Sequence, residues 1–111
     1  MQIKEEIANR SADFRAVCRD HSVKQLYAFG SAVTDHFNPE RSDIDLLVEI
    51  DEPNPLDRGE KLISLWDTFE DFFRRKVDLL TNSSLKNPYL IKSIEDTKVL
   101  IYDRKGEKIF V

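Results

Sequence analysis

The stretch that decides the fold runs from Asp43 to Ile50 and reads DIDLLVEI. Its nearly continuous apolar part is typical of a buried β-strand. The order Asp43, Ile44, Asp45 places both carboxylates on one face, because successive side chains of a strand alternate in direction. Their Cα atoms are then about 6.6 Å apart. A packed strand therefore holds two carboxylates at its first end.

Helices and strands alternate on either side of this strand. Before it, the pattern predicts a helix over 3–20, a strand over 24–29, and a short helical turn and loop over 32–41. After it, a long helix is predicted from a capping box at Asp57 and Glu60 to Arg74 and Arg75, and a strand follows over 77–81. The chain is then predicted to form a helix over 89–96, opened by Pro88, and a hairpin of 98–102 with 109–111. This order predicts the α/β (α+β) class, with a single mixed sheet flanked by helices in one domain over 1–111.

The composition limits the classes of function. Seventeen Lys and Arg against 21 Asp and Glu give a net charge of −4, which argues against long-duplex nucleic acid as a partner. No apolar run reaches the about 20 residues that cross a bilayer, and the first residues lack a secretory signal. We therefore expect a cytoplasmic protein without membrane contact. The single cysteine, Cys18, excludes an internal disulfide and is expected to be buried.

A third carboxylate and a glycine turn complete the candidate site. Asp78 lies in a short apolar strand, so three carboxylates converge if the two strands are neighbours about 4.8 Å apart. Two carboxylates ~4 Å apart repel by about 4 kcal/mol at an effective dielectric of about 20, and a divalent cation reverses the sign. Oxygen ligands favour Mg²⁺ or Mn²⁺ over zinc. Gly30 and Ser31, at the end of a strand, offer close backbone approach and a hydroxyl to a phosphate.

Two other nucleotide or metal motifs fail on this sequence. An EF-hand loop that began at Asp43 would place Leu47, Val48 and Asn54 where it needs an oxygen ligand, glycine and glutamate. A P-loop needs Gly-Lys-Ser or Gly-Lys-Thr, which is absent. The simplest alternative treats the three aspartates as solvated charges at strand ends.

The combination of the Gly30-Ser31 turn, residues 42–48 and residues 77–80 resembles the minimal nucleotidyltransferases (MNT) of the DNA polymerase β-like superfamily. The resemblance spans nearly the whole chain and implies the polymerase β-like nucleotidyltransferase fold. It implies nucleotide binding by Gly30, Ser31 and Ser42. It implies catalysis and the binding of two Mg²⁺ ions, or Mn²⁺, by Asp43, Asp45 and Asp78.

The same resemblance implies an activity and a partner. The implied reaction transfers AMP, or another nucleoside monophosphate, from ATP, or another nucleoside triphosphate, to a hydroxyl acceptor. MNT proteins commonly act as antitoxins of HEPN-domain proteins, so a HEPN-type toxin is the implied acceptor. The alternative is a non-catalytic antitoxin that neutralises its partner by direct association. A homo-oligomer is compatible with either.

The loop between Ser31 and Asp43 departs from the family pattern. Eleven residues, 32–42, separate the two, one more than is common in the family, and Asp35 or its neighbour stands where many members have glycine. Basic residues near the site are candidates to neutralise the leaving pyrophosphate, with solvated surface charge as the alternative: Arg41, Lys76 and Lys86. His36 is given no role. A stripe at helical spacing is expected in the core: Trp66, Phe69, Phe72 and Phe73.

Overall fold

The computed structural model describes residues 1–34 and 36–111, so the interpretation of Asp35 lies outside the described residues. The helices and strands in this part of the chain are, in order, α1 (Gln2–Asn9), α2 (Ser11–Asp20), β1 (Val23–Phe29), β2 (Ile44–Ile50), α3 (Pro55–Phe73), β3 (Val77–Leu80), α4 (Pro88–Thr97), β4 (Val99–Asp103) and β5 (Lys108–Ile109). A 3₁₀ turn, Gly30–Val33, directly follows β1.

The strands form one mixed sheet in the order β3-β2-β1-β4-β5. Strand β1 pairs antiparallel with β2 and with β4, β4 pairs antiparallel with β5, and β2 pairs parallel with β3. A parallel pair needs a crossover connection, and the 19-residue helix α3 provides it. The predicted class, a mixed sheet flanked by helices, is confirmed.

The two faces of the sheet are covered unequally. On one face, α1, α2 and α3 pack a large core against Ile44, Leu46 and Val48 of β2. On the other face, α4 contributes Ile94 to a small cluster with Phe29 and Leu47. Alternation along β2 and β3 therefore turns their polar side chains toward the α4 face, where less of the sheet is covered.

The single helix expected over 3–20 is instead two helices, because the chain breaks at Arg10 (φ −136°, ψ 43°). The apolar pattern passes from Ile7 to Phe14 with no apolar residue at positions 10 and 11. The Arg10 guanidinium stacks 4.2 Å above the Phe72 ring, and its Nη1 donates to the Phe72 carbonyl at 3.0 Å. A tertiary contact therefore fixes the break.

Both ends of α3 differ from the prediction. Asn54, not Asp57, caps the helix, since the Asn54 side chain accepts from the amides of Leu56 and Asp57, and Pro55 occupies the first turn. The helix ends at Phe73. The expected basic residues therefore lie beyond its last turn.

Arg74 leaves the helix in the left-handed conformation at φ 54°. Arg75, next along the chain, pairs with Glu6 at 2.7 Å and donates to the Pro39 carbonyl at 2.8 Å. This contact joins α1 to the loop that leads into β2.

Cys18 is buried as predicted, and burial raises the pKa of its thiol. No helix in the described residues is long and apolar enough to span a bilayer.

Candidate active site

The register of β2 against β3 brings two predicted site residues together. Asp45 lies directly opposite Asp78, and the Ile44 amide donates to the Lys76 carbonyl at 3.1 Å. On the other side of β2, Asp45 faces Phe29, the last residue of β1. The sheet therefore places one carboxylate from each parallel strand beside the turn that follows β1.

Asp45 and Asp78 are both acids, and the register of the two strands sets them opposite each other. The pKa of Asp45 rises to about 6, first because the carboxyl is partly buried, then because of the neighbouring carboxyls of Asp78 and Asp43. Crowded carboxylates of this kind disfavour the ionised form until a cation is present. The pair is thus an electrostatically costly arrangement.

Gly30 lies close to the Asp45 carboxylate. Its φ is +67°, and a Cβ at this position would lie 2.6 Å from Oδ2 of Asp45. Only glycine combines the left-handed conformation with this close approach. The predicted role of Gly30 in bringing backbone near a phosphate stays a prediction, but its contact with the Asp45 carboxylate is a feature that sequence reasoning missed.

Asp43 lies just before β2 and is less constrained. Its carboxylate is 4.0 Å from Nζ of Lys76, and the two side chains are 42% and 70% exposed, so this ion pair contributes little. Within residues 1–34 and 36–111, no three His, Cys, Asp or Glu side chains form a ready metal site. The structure thus brings Asp45 and Asp78 together and leaves Asp43 within electrostatic range of Asp45.

The chemistry of this donor set fits a hard divalent cation. Mg²⁺ is typically bound by one or two protein carboxylates, with the remaining ligands from water and substrate phosphates. Asp45 and Asp78 supply that number from adjacent strands, and their mutual repulsion is what a cation would relieve. Asp43, close to Asp45 in sequence and partly exposed, is available as a further ligand.

The two predicted serines occupy different positions. Ser31 lies in the 3₁₀ turn, where its carbonyl accepts from both the amide and the hydroxyl of Thr34 at 3.1 Å. Ser42 closes the loop before Asp43, because its hydroxyl oxygen accepts from the Asn38 amide at 2.9 Å. Its own hydroxyl hydrogen can still donate. Their predicted nucleotide contacts stay predictions.

Of the remaining predicted residues, Lys76 has a contact with a site residue. Lys76 is the cation beside Asp43. Arg41, Lys86 and His36 are exposed on the surface.

Trp66 is only partly buried, unlike the buried phenylalanines of its stripe, and its indole donates to the Val77 carbonyl at 2.6 Å. Glu70 accepts from the Val77 amide at 3.0 Å. These two contacts were not expected from sequence. The available signal was the spacing of Trp66 and Glu70, which are four residues apart and therefore lie on the same face of α3.

A comparison with protein families shows the family to which the chain belongs. The model described as nucleotidyltransferase domain matches residues 14–101. The chain belongs to this family. A relative from Methanocaldococcus jannaschii, named "Putative protein adenylyltransferase MJ0126", is 36% identical over 100 residues, which are 90% of this chain and 95% of the relative.

Solved structures agree with this nucleotidyltransferase assignment. One, named "Structure of putative minimal nucleotidyltransferase", superposes with a TM-score of 0.59 at 25% identity and covers 86% of this chain and 93% of that chain. Another, a tri-AMPylated Shewanella oneidensis HEPN toxin in complex with MNT antitoxin, gives a TM-score of 0.51 at 19% identity, over 96% and 76% of the two chains. The family predicted from the motifs, and the nucleotidyltransferase fold with it, are confirmed.

The Gly30 contact predicts an unequal cost of two glycine substitutions. Gly30→Ala and Gly106→Ala both place alanine at positive φ, +67° and +73°, but a Cβ at Gly106 meets no atom within 4 Å. We expect Gly106→Ala to lower the free energy of unfolding by about 1–2 kcal/mol, and Gly30→Ala by about 1 kcal/mol more, because Asp45 must move. Urea denaturation measures both. Equal costs, or an excess that persists when Asp45→Ala is added, would contradict the contact.

The raised pKa of Asp45 predicts a pH-dependent cost to the fold. Because the folded pKa of about 6 lies above the ordinary value of 3.8, this carboxyl favours folding at low pH, and that contribution is lost as the pH rises through 6. In EDTA, Asp45→Asn should raise the free energy of unfolding at pH 8 by about 1–2 kcal/mol, a figure discounted for partial exposure, and should change it little at pH 4.

Chemical denaturation at the two pH values measures this difference. Glu49→Gln, on the same strand and exposed, is the control and should shift stability by less than about 0.5 kcal/mol at both. A destabilising Asp45→Asn at pH 8 would contradict a strained carboxylate pair.

Proposed function

We propose that this protein transfers AMP from ATP to a hydroxyl group of a protein partner, with release of pyrophosphate, and that residues 1–111 act as a single nucleotidyltransferase domain. The observation that carries the proposal is the Asp45–Asp78 pair beside the Gly30 turn. The name of the archaeal relative and the AMPylated toxin of the solved complex support protein as the acceptor.

The cation is proposed to be Mg²⁺, two ions, with Mn²⁺ as a substitute. Asp45 and Asp78 are the proposed ligands that the sheet already places side by side, and Asp43 is the proposed third. When bound, Mg²⁺ neutralises phosphate charge and stabilises the attacking and leaving oxygens. The raised pKa of Asp45, to about 6, supports this assignment, because a bound cation would offset the free-energy cost of ionising this carboxyl.

The proposed reaction is a single transfer of the AMP group, with one bond formed and one broken at the α-phosphorus. The acceptor oxygen forms a bond to the α-phosphorus of ATP, and the bond from that phosphorus to the bridging oxygen breaks as pyrophosphate leaves. The proton of the acceptor hydroxyl passes to Asp78, the carboxylate on the outermost strand. Gly30 and Ser31 are proposed to orient the phosphates through backbone amides and a hydroxyl, with Ser42 donating its hydroxyl hydrogen at the loop before Asp43.

The proposed partner is a HEPN-type toxin, which this protein would inactivate by AMPylation. The small size of the chain is consistent with such a partner, because a domain of 111 residues has little surface left to bind an acceptor once the sheet is covered. Lys76, near Asp43, is the proposed cation that neutralises the departing pyrophosphate.

The test is covalent labelling. The protein is incubated with Mg²⁺, ATP labelled at the α-phosphate, and the protein encoded by the neighbouring gene, and each chain is then examined for bound AMP. We expect label on the partner, and we expect the double variant Asp45→Asn, Asp78→Asn to lose it by more than about 100-fold, since even outer-shell changes at metal sites cost about 10–100-fold. Glu49→Gln is the matched control on β2 and should label normally.

Two results would overturn the proposal. The first is a folded wild-type protein that labels neither chain, and the second is a double variant that labels as well as the wild type. A double variant that still neutralises the partner without labelling it would favour the alternative, an antitoxin that acts by direct association.

A further inference from the structure

Strand β3, which carries Asp78, has little support of its own. It is four residues long and lies at the edge of the sheet, where β2 is its one neighbouring strand among the described residues. An edge strand exposes unpaired backbone groups on its outer side and is free to shift there. The position of Asp78 therefore depends on what holds the outer side of β3.

Val77, the residue before Asp78, points its backbone amide and carbonyl to that outer side. The Lys76 carbonyl faces β2, where it accepts from the Ile44 amide at 3.1 Å. In a trans peptide the next amide, that of Val77, points the opposite way. In an extended strand the Val77 carbonyl lies on the same side as its amide. Both backbone groups of Val77 thus point away from the sheet.

Two side chains of α3 bind these two groups. Glu70 Oε2 accepts from the Val77 amide at 3.0 Å, and Trp66 Nε1 donates to the Val77 carbonyl at 2.6 Å. The pair takes the place of a neighbouring strand at this one residue. We call Glu70 and Trp66 the α3 clamp.

The helix that carries the α3 clamp is anchored in the main core. Trp66 and Glu70 are one helical turn apart, and the residue before each of them, Leu65 and Phe69, is fully buried. The Val77 side chain is also fully buried. The core of α3 is thereby linked through two hydrogen bonds to the backbone immediately before Asp78.

We infer that Trp66 and Glu70 are positioning residues that aim the Asp78 carboxylate at its partner Asp45, an inference that rests on the proposed function of this carboxylate pair. The two hydrogen bonds of the clamp end on the Val77 backbone and not on the carboxylate pair. They hold the residue directly before Asp78, which opposes twisting of Asp78 away from the site. Since metal sites lose about 10–100-fold in affinity or activity when such supporting contacts are removed, the clamp should matter for function beyond stability.

The variants separate the hydrogen bonds from bulk and charge. Trp66→Phe removes the indole donor and keeps an aromatic ring. Glu70→Leu removes the acceptor, and Glu70→Gln restores an acceptor without the charge. Thr68→Ala is the matched control, because it deletes a 2.7 Å hydrogen bond to Ser64 on the same helix that does not reach β3.

The first readout is the kinetics of AMP transfer. Trp66→Phe and Glu70→Leu should lower kcat about 10-fold and raise the half-saturating Mg²⁺ concentration by a similar factor, with KM for ATP within about twofold. Glu70→Gln and Thr68→Ala should behave as wild type. A change in stability alone would not produce this split between kcat and KM.

The second readout does not need activity. Mn²⁺ affinity, measured by electron paramagnetic resonance, should fall about 10-fold in Trp66→Phe and in Glu70→Leu. In an Asp78→Asn background the same substitutions should have no further effect, because the clamp acts through Asp78. The single tryptophan adds a direct signal, since Trp66 fluorescence should respond to Mg²⁺ in the wild type and not in Asp78→Asn.

The outcomes separate this inference from the proposed function. A wild-type protein that transfers no AMP but shows the Mn²⁺ coupling would refute the transfer and support the clamp. Active clamp variants with unchanged kcat and Mn²⁺ affinity would refute the clamp and leave the transfer intact. Equal losses in the wild-type and Asp78→Asn backgrounds would also overturn the clamp, because they would indicate a general structural effect.

Discussion

The structure depends on one pairing, the parallel alignment of β2 with β3 through the crossover helix α3. This alignment sets Asp45 opposite Asp78 and turns both toward the face on which α4 packs. The larger core on the opposite face supplies the hydrophobic burial that holds the two strands in register. A shift of either strand by one residue would turn its carboxylate toward that core, so the packing that stabilises the fold also determines where the acids lie.

The carboxylate pair costs stability that the rest of the fold must offset. Partial burial and the neighbouring charges raise the pKa of Asp45 to about 6, and Gly30 confines the same carboxylate from the β1 side. Strain of this kind is expected at a site built to receive a cation and phosphates, because the ligand supplies the missing positive charge. The local electrostatics therefore mark Asp45 and Asp78, two of the residues that the sequence predicts for the site.

Much of this site could be predicted because it depends on local signals. Alternation along DIDLLVEI gives the face of Asp45. The sequence predicts convergence with Asp78 only if the two strands are neighbours, and the parallel register of β2 with β3 meets that condition. Contacts between distant parts of the chain could not be predicted in this way. Arg10 breaks the first helix because it binds Phe72, 62 positions away. The Asn54 cap had a local signal, Asn followed by Pro, that the competing acidic pair at Asp57 and Glu60 obscured.

The most direct test of a strained, cation-receiving pair is the titration of the Asp45 carboxyl carbon by NMR, with and without Mg²⁺. The account predicts a pKa of about 6 without the cation, a lower value in Asp78→Asn, and a lower value again when Mg²⁺ is added to the wild type. An Asp45 that titrates near the ordinary value of about 3.9, unmoved by Asp78→Asn and by Mg²⁺, would contradict it.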